Sequence, residues 1–366
     1  MNLFRNLDTL FQGRVAATRV RFRVRDRQVK PGIGAVQDAV LPGRSSSTQN
    51  HAISPQGPAR RWRRLLPLLL LIAILPMIHQ LMVHKESPAQ SLPVTDLPLS
   101  ELVAPTAVAQ DSYVVSQPLK QPDSLRPCCA FGYDLKVRAF GIPIPFIRLG
   151  NVLNPTSLGG HDYDGGSSSF LGSLAGSDHE KLGIVYTRHG GFIDVAHVRD
   201  SADNTLFLFS QIWPRLGQRW TLDLGPELAQ RRIEFMPAPL PDSLADRYTL
   251  AASLAADLSF QIAAWHEIAQ WYGFRSVPVF SEEVSAFSPE DLYSNVLGIR
   301  LGLIIDLQGD ASSQHRFSDA LTRLLPQALG ALGAVSSVQT REMFDRIDGC
   351  WWNSEARVPD KFLLLY

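Results

Sequence analysis

Cysteine is scarce, with three in 366 residues, at 128, 129 and 350. Three thiols cannot furnish a four-cysteine zinc site. An excess of either charge is also missing: 35 Lys+Arg stand against 35 Asp+Glu. The basic surplus that marks a general nucleic-acid binder is therefore absent. No phosphate-binding loop, Rossmann glycine fingerprint, G-x-S-x-G elbow or EF-hand loop occurs, which speaks against nucleotide chemistry and the α/β-hydrolase mechanism. The Gly/Ser stretch at 165–176 lacks the elbow spacing and reads as a loop. No internal repeat is visible. What the chain does have is 45% hydrophobic and 9% aromatic residues, enough to bury a sizeable core.

The neutral total hides a gradient. Residues 1–64 carry thirteen Lys+Arg against Asp8, Asp26 and Asp38, so the rest is acidic by ten charges. Four of those arginines (Arg60, Arg61, Arg63, Arg64) directly precede a run of nineteen residues, 65–83, without formal charge. About twenty apolar residues cross a bilayer core as a helix, which satisfies its own backbone hydrogen bonds. Pro67 fits a first turn and Pro76 predicts a kink. Basic residues remain on the cytoplasmic side. The expected topology is a single pass through the inner membrane, with a cytoplasmic N-terminus and a periplasmic C-terminal domain. A cleaved signal peptide is the first alternative, since His79 and Gln80 shorten the uninterrupted run. A buried core helix is the second.

Composition divides the chain into a disordered basic tail (1–59), the membrane segment (60–83), a Pro-rich linker (84–122) and a globular domain (123–366). Within the tail, the alternating segment 19–27 reads as a solvated stretch, a short strand or a basic arm on anionic lipid. In the domain, 137–160 is dense in Gly and Pro and reads as irregular or extended, and 181–187 as a short strand. Helical spacing follows over 190–213, 243–273 and 316–332, with Gly273 as a stop. Ser288-Pro289-Glu290-Asp291 has the form of a helix start, with Ser as N-cap and acids in the first turn. The expected fold is mainly α with minor β: one globular helical domain behind one N-terminal transmembrane helix.

Candidate chemistry lies in two helical pairs. Asp194 and His197, three apart, share a helix face and suit a divalent metal, or equally an Asp-oriented structural histidine. Ser201 continues that line, whereas Asp200 and Asp203 turn away and read as exposed or capping. His266-Glu267 resembles the start of H-E-x-x-H, but Gln270 occupies the fifth position, which excludes that motif. His266 could meet Asp194 and His197 across a helix pair, with Glu267 as general base, or could be a hydrogen-bonded core residue. His161, in the loop Gly159–Tyr163, is a candidate fourth ligand. Outside the cytoplasm a bridge from Cys350 to Cys128 or Cys129 is the favoured role for the thiols.

The blocks RPCCAFG (126–132), LGGHDY (158–163), YTRHGGFIDVAHVRDSAD (186–203), WHEIAQWYG (265–273) and FSEEVSAFSPEDLYSNVLGIRLG (280–302) together resemble the bacterial DUF4056 family, a domain of unknown function. DGCWWNSEARVP (348–359) continues the likeness. The resemblance implies that the domain proper starts near Cys128, and it implies no reaction. The expected protein is thus a membrane-anchored envelope protein. It would act as a metal-dependent hydrolase on lipid or cell-wall material, with zinc or another divalent ion on Asp194, His197, His266 and His161, and Glu267 catalytic. The alternative is a non-catalytic structural or interaction protein. No nucleic-acid partner is expected.

Overall fold

The computed structural model describes residues 21–22, 118–122, 125–126, 130–133, 135–139, 142–149, 151–165, 180–274, 285–350 and 354. The membrane segment expected at 65–83 lies outside these residues, as do Cys128 and Cys129. No helix among the described residues is long and apolar enough to cross a membrane.

Helix dominates, as its periodicity predicts. Among the described residues the five α-helices are α1 (Val195–Ile212), α2 (Leu244–Trp271), α3 (Asp291–Leu307), α4 (Gln314–Ala331) and α5 (Ser337–Ile347). Ser243 caps α2 by accepting from the Asp246 amide, and Gly273 ends it at φ +88°. Both are the devices their side chains favour. The strands are minor and antiparallel. β1 (Arg21–Phe22) pairs with β7 (Ala229–Phe235), which pairs with β6 (Trp220–Glu227). β2 (Leu135–Ala139) pairs with β3 (Ile142–Leu149), and β4 (Ile184–Thr187) with β5 (Gly191–Asp194).

Three sequence expectations are corrected. The helix read from residue 190 begins only at Val195, because 191–194 pair with β4. Ser288 does not cap α3: its hydroxyl donates to the Ser285 carbonyl, and the helix starts at Asp291. The stretch 118–122, assigned to the linker, is docked onto α1, with the Leu119 amide on Ser210 Oγ and the Gln211 amide group on the Leu119 carbonyl. The β6–β7 hairpin and α5 were not anticipated.

Among the described residues α1 is the most enclosed helix. All its residues except Asp200 and Asn204 are buried, so it has no solvent face. Leu206, Leu208 and Phe209 meet Ala251, Ala255 and Leu258 of α2, Leu301 and Ile305 of α3, and Phe317 and Leu321 of α4 in one apolar cluster. α1 and α3 approach closely through glycine. A Cβ built on Gly298 would stand 2.1 Å from the Val198 carbonyl oxygen, and one on Gly302 2.9 Å from Thr205 Cβ. That proximity lets Ser201 Oγ donate to Asn295 Oδ1 at 2.6 Å and Asp194 N donate to Ser294 Oγ at 2.9 Å. A helix turns about 100° per residue, so His197 and Ser201 face one way and Arg199 and Asp203 nearly the opposite way. Each side buries its own polar cluster.

Candidate functional site

On the His197 side four carboxylates converge on one imidazole. Asp194 closes β5 and caps α1, its Oδ1 accepting from the Ala196 amide at 2.8 Å. Its Oδ2 lies 3.9 Å from His197 Nε2. Asp291, at the start of α3, places Oδ1 3.2 Å from the same nitrogen while Oδ2 accepts from the Ser288 amide at 2.6 Å. Glu267 comes from the C-terminal half of α2, where the buried positions turn polar (His266, Glu267, Gln270). Its Oε2 accepts from the Phe287 amide at 2.8 Å, and its Oε1 lies 4.0 Å from His197 Nδ1. Glu290 precedes Asp291 and is 2% exposed; Asp194, Glu267 and Asp291 are 0% and His197 5%.

His197, Glu267 and Asp291 each offer one ligand atom, all within 4.8 Å of one another, and could hold a metal ion. The electrostatics agree with that chemistry. Burial first, and the nearby Asp291 second, push the Glu267 carboxyl up to about 7. Burial and neighbouring acids likewise raise Asp291 and hold Glu290 well above the ordinary carboxylate range. Acids buried together in a dry interior resist ionisation, and a cation placed among them would favour their charged forms.

The other predicted residues go elsewhere. His266 faces the β6–β7 hairpin, its Nδ1 3.5 Å from Glu227 Oε1, and Glu227 also pairs with Arg231 at 2.9 Å. His161 belongs to the cluster on the far side of α1. There it lies between Glu180 (Nδ1 to Oε1, 3.0 Å) and Asp203 (Nε2 to Oδ1, 2.9 Å). Asp203, read as exposed or capping, is 1% exposed.

Arg126 organises that second cluster. Its guanidinium donates to both Glu180 oxygens at 2.6 and 2.7 Å, to Asp200 at 2.7 Å, to Asp203 at 2.8 Å and to the Asp162 carbonyl at 2.8 Å. This uses every donor an arginine has. Arg199 adds bonds to the Gly160 and Leu158 carbonyls at 2.8 and 2.9 Å and to Glu180 at 3.2 Å. Burial alone would raise Glu180 and Asp203, but His161 and Arg126 hold both below the ordinary range.

Of the residues singled out from the sequence, Asp194, His197 and Glu267 are brought together here, with Asp194 capping α1 and outside the three that offer ligand atoms within 4.8 Å of one another. Sequence reasoning missed Glu290 and Asp291 as site residues, because two acids at a helix start are ordinary macrodipole partners. It missed Arg126 because a lone arginine beside Pro127 carries no signal.

Neither the curated proteins nor the solved structures give a match to this chain. Residues 116–366, more than half of it, match the family described as a protein of unknown function, DUF4056. The stretch contains both polar clusters and begins just before the docked 118–122 segment, so the chain belongs to the DUF4056 family.

Proposed function

We propose that the protein is a metal-dependent hydrolase of the bacterial envelope, tethered through residues 65–83 and acting on lipid or cell-wall material. The observation that carries this reading is the buried His197–Glu267–Asp291 group inside an excess of carboxylates. His197, Asp291 and Glu267 are the ligands. Zinc or another divalent ion satisfies this mixed nitrogen and oxygen set. An ion held there would supply Lewis-acid chemistry, acidifying a bound water so that it could serve as a nucleophile once its proton passed to solvent or to a neighbouring carboxylate. Glu267 accordingly acts as a ligand in this reading, and His266 and His161 stay with Glu227 and Arg126 respectively. The envelope address rests on the charge-free run at 65–83 and the arginines before it.

One observation favours a second reading. Every ligand is at most 5% exposed, as in a closed structural site, and a non-catalytic envelope protein would need no more. Detergent-solubilised full chain, loaded with zinc or manganese, separates the two. Stoichiometric metal with release of products from phospholipid or cell-wall sacculi, both lost in His197→Ala and Asp291→Asn, supports the hydrolase. Metal bound without turnover supports the structural reading. No metal in the folded chain overturns both. Topology is read separately: a periplasm-dependent reporter fused after Tyr366 is expected to be active, and activity of a cytosolic reporter instead would remove the envelope address.

A further inference from the structure

α2 changes character along its length. From Asp246 to Leu258 it follows the ordinary pattern of a helix on a globular core. Ala251, Leu254, Ala255 and Leu258 are buried there, and Asp246 and Thr249 face solvent. From Ser259 to Trp271 the pattern inverts. Four of the six buried residues in that stretch are polar (Ser259, His266, Glu267 and Gln270), whereas Phe260 and Ile268 are exposed. Tyr272, which ends the helix, is 72% exposed. At about 100° per residue, Phe260, Ala264, Ile268, Trp271 and Tyr272 fall within one arc of roughly 120°. The sole Asp, Glu, Lys or Arg between 258 and 272 is Glu267, and it is buried. Scattered apolar residues on a surface need no explanation, but a continuous apolar stripe backed by a polar interior does.

The stripe adjoins the acid cluster on both ligand-bearing helices. Ile268 follows Glu267 on α2, and the exposed Leu292 follows Asp291 on α3. Phe287 links the two sides: its amide donates to Glu267, and its ring centroid lies 6.3 Å from that of Trp271. A second copy of the chain fits this face poorly. From Phe260 to Tyr272 the stripe is ~18 Å long and ~10 Å wide, under roughly 200 Å², against about 800 Å² per partner in a stable interface. A bilayer surface sets no such area, and Trp and Tyr, with an apolar body and a polar tip, suit the headgroup level. The charge-free run at 65–83 is suited to the same phase, and the 34 residues from 84 to 117 can extend up to ~110 Å from it.

We infer that the α2 face from Phe260 to Tyr272, together with Leu292, seats on the surface of a phospholipid bilayer. This rests on the envelope address proposed above and narrows its substrate to phospholipid rather than cell-wall material. The second half of α2 then lies in the interface plane as surface-bound amphipathic helices do. Its apolar arc is among the lipids and its polar arc lines the His197 cluster, about one helix diameter (~10 Å) beneath them.

The test is photocrosslinking in full chain reconstituted into vesicles of phosphatidylethanolamine and phosphatidylglycerol and recovered by flotation. Benzoylphenylalanine replaces Ile268 or, as a control, the exposed Val338 on α5. Lipid adducts, read by mass spectrometry, should form roughly fivefold or more in favour of the Ile268 position, since only that position is embedded. Equal yields, or chain-to-chain crosslinks in place of lipid adducts from the Ile268 position, overturn the proposal. With the probe at Tyr272 instead, Ile268→Glu should cut lipid adducts roughly threefold or more without moving the urea midpoint, because a surface exchange costs little stability. Undiminished adducts also overturn it. A chain that floats but gives no adduct from the Ile268 position loses only this face, whereas a chain that does not float loses the envelope address as well. Neither readout depends on bound metal, so the ion stands or falls separately.

Discussion

The two polar clusters flanking α1 are equally dry and oppositely built. Around Arg126, two arginines and His161 face Glu180, Asp200 and Asp203, and every donor of Arg126 is used. Around His197, Asp194, Glu267, Glu290 and Asp291 face one imidazole. In the first cluster His161 and Arg126 hold Glu180 and Asp203 below the ordinary carboxylate range, although burial raises Asp200 to about 6. In the second, burial and neighbouring acids push Glu267, Glu290 and Asp291 toward protonation. A buried ion pair is weak evidence of stabilisation, yet breaking one by removing a single partner is severe. The difference separates a clasp, which ties Arg126 and the 158–165 loop to α1, from an acid-rich cluster, the socket of the proposed ion.

Breaking the clasp should have the largest effect. Arg126→Met leaves buried carboxylates uncompensated and is expected to cost about 3–5 kcal/mol, seen as a lower urea midpoint and early proteolysis after residue 117. An unchanged midpoint would mean the network is not a clasp. Next comes the contact that supports the socket. Gly298→Ala puts a methyl group 2.1 Å from the Val198 carbonyl, and overpacking of this kind costs roughly 1–3 kcal/mol. Because it forces α3 away from α1, metal affinity should fall further than stability does.

The sharpest contrast is one of sign. In metal-free protein, Asp203→Asn should destabilise, whereas Glu267→Gln should stabilise by about 1–3 kcal/mol at pH 8, since one pKa unit corresponds to ~1.4 kcal/mol. Equal signs would erase the distinction. The same group predicts a pH effect. Glu267 ionises in the folded state at about 7, above its ordinary range, so the folded protein keeps a proton that the unfolded chain releases. Stability of the metal-free protein should therefore decline as pH rises from about 4.5 through 7, and Glu267→Gln should flatten that decline. Metal affinity should move the other way, rising with pH. The smallest effect belongs to His266→Ala. Its contact with Glu227 is outside the socket, so metal affinity should change less than about twofold, checked by competition against a chelator; a tenfold loss would return His266 to the ligand set.

What could be read in advance followed local rules. His197 and Ser201 share a side of α1, Ser243 and Gly273 mark the ends of α2, and the blocks from 126 to 302 carry the family. Where reading failed, the cause was local ambiguity. Residues 191–194 have helix-compatible spacing but pair with β4, and Asp203 looks like a surface acid until Arg126 and His161 reach it from distant parts of the chain.

Composition and periodicity by themselves determined a mainly helical domain with minor β, and a charge-free run at 65–83. They also placed His197 and Ser201 on one side of a helix, because a 3.6-residue turn is a property of the backbone. Only the tertiary structure decided that Glu267 and Asp291 join His197, that His161 and His266 do not, and that one face of α1 is neutralised while the other is not. Burial sets whether a charge is costly, and burial depends on which helices approach one another, here through Gly298 and Gly302.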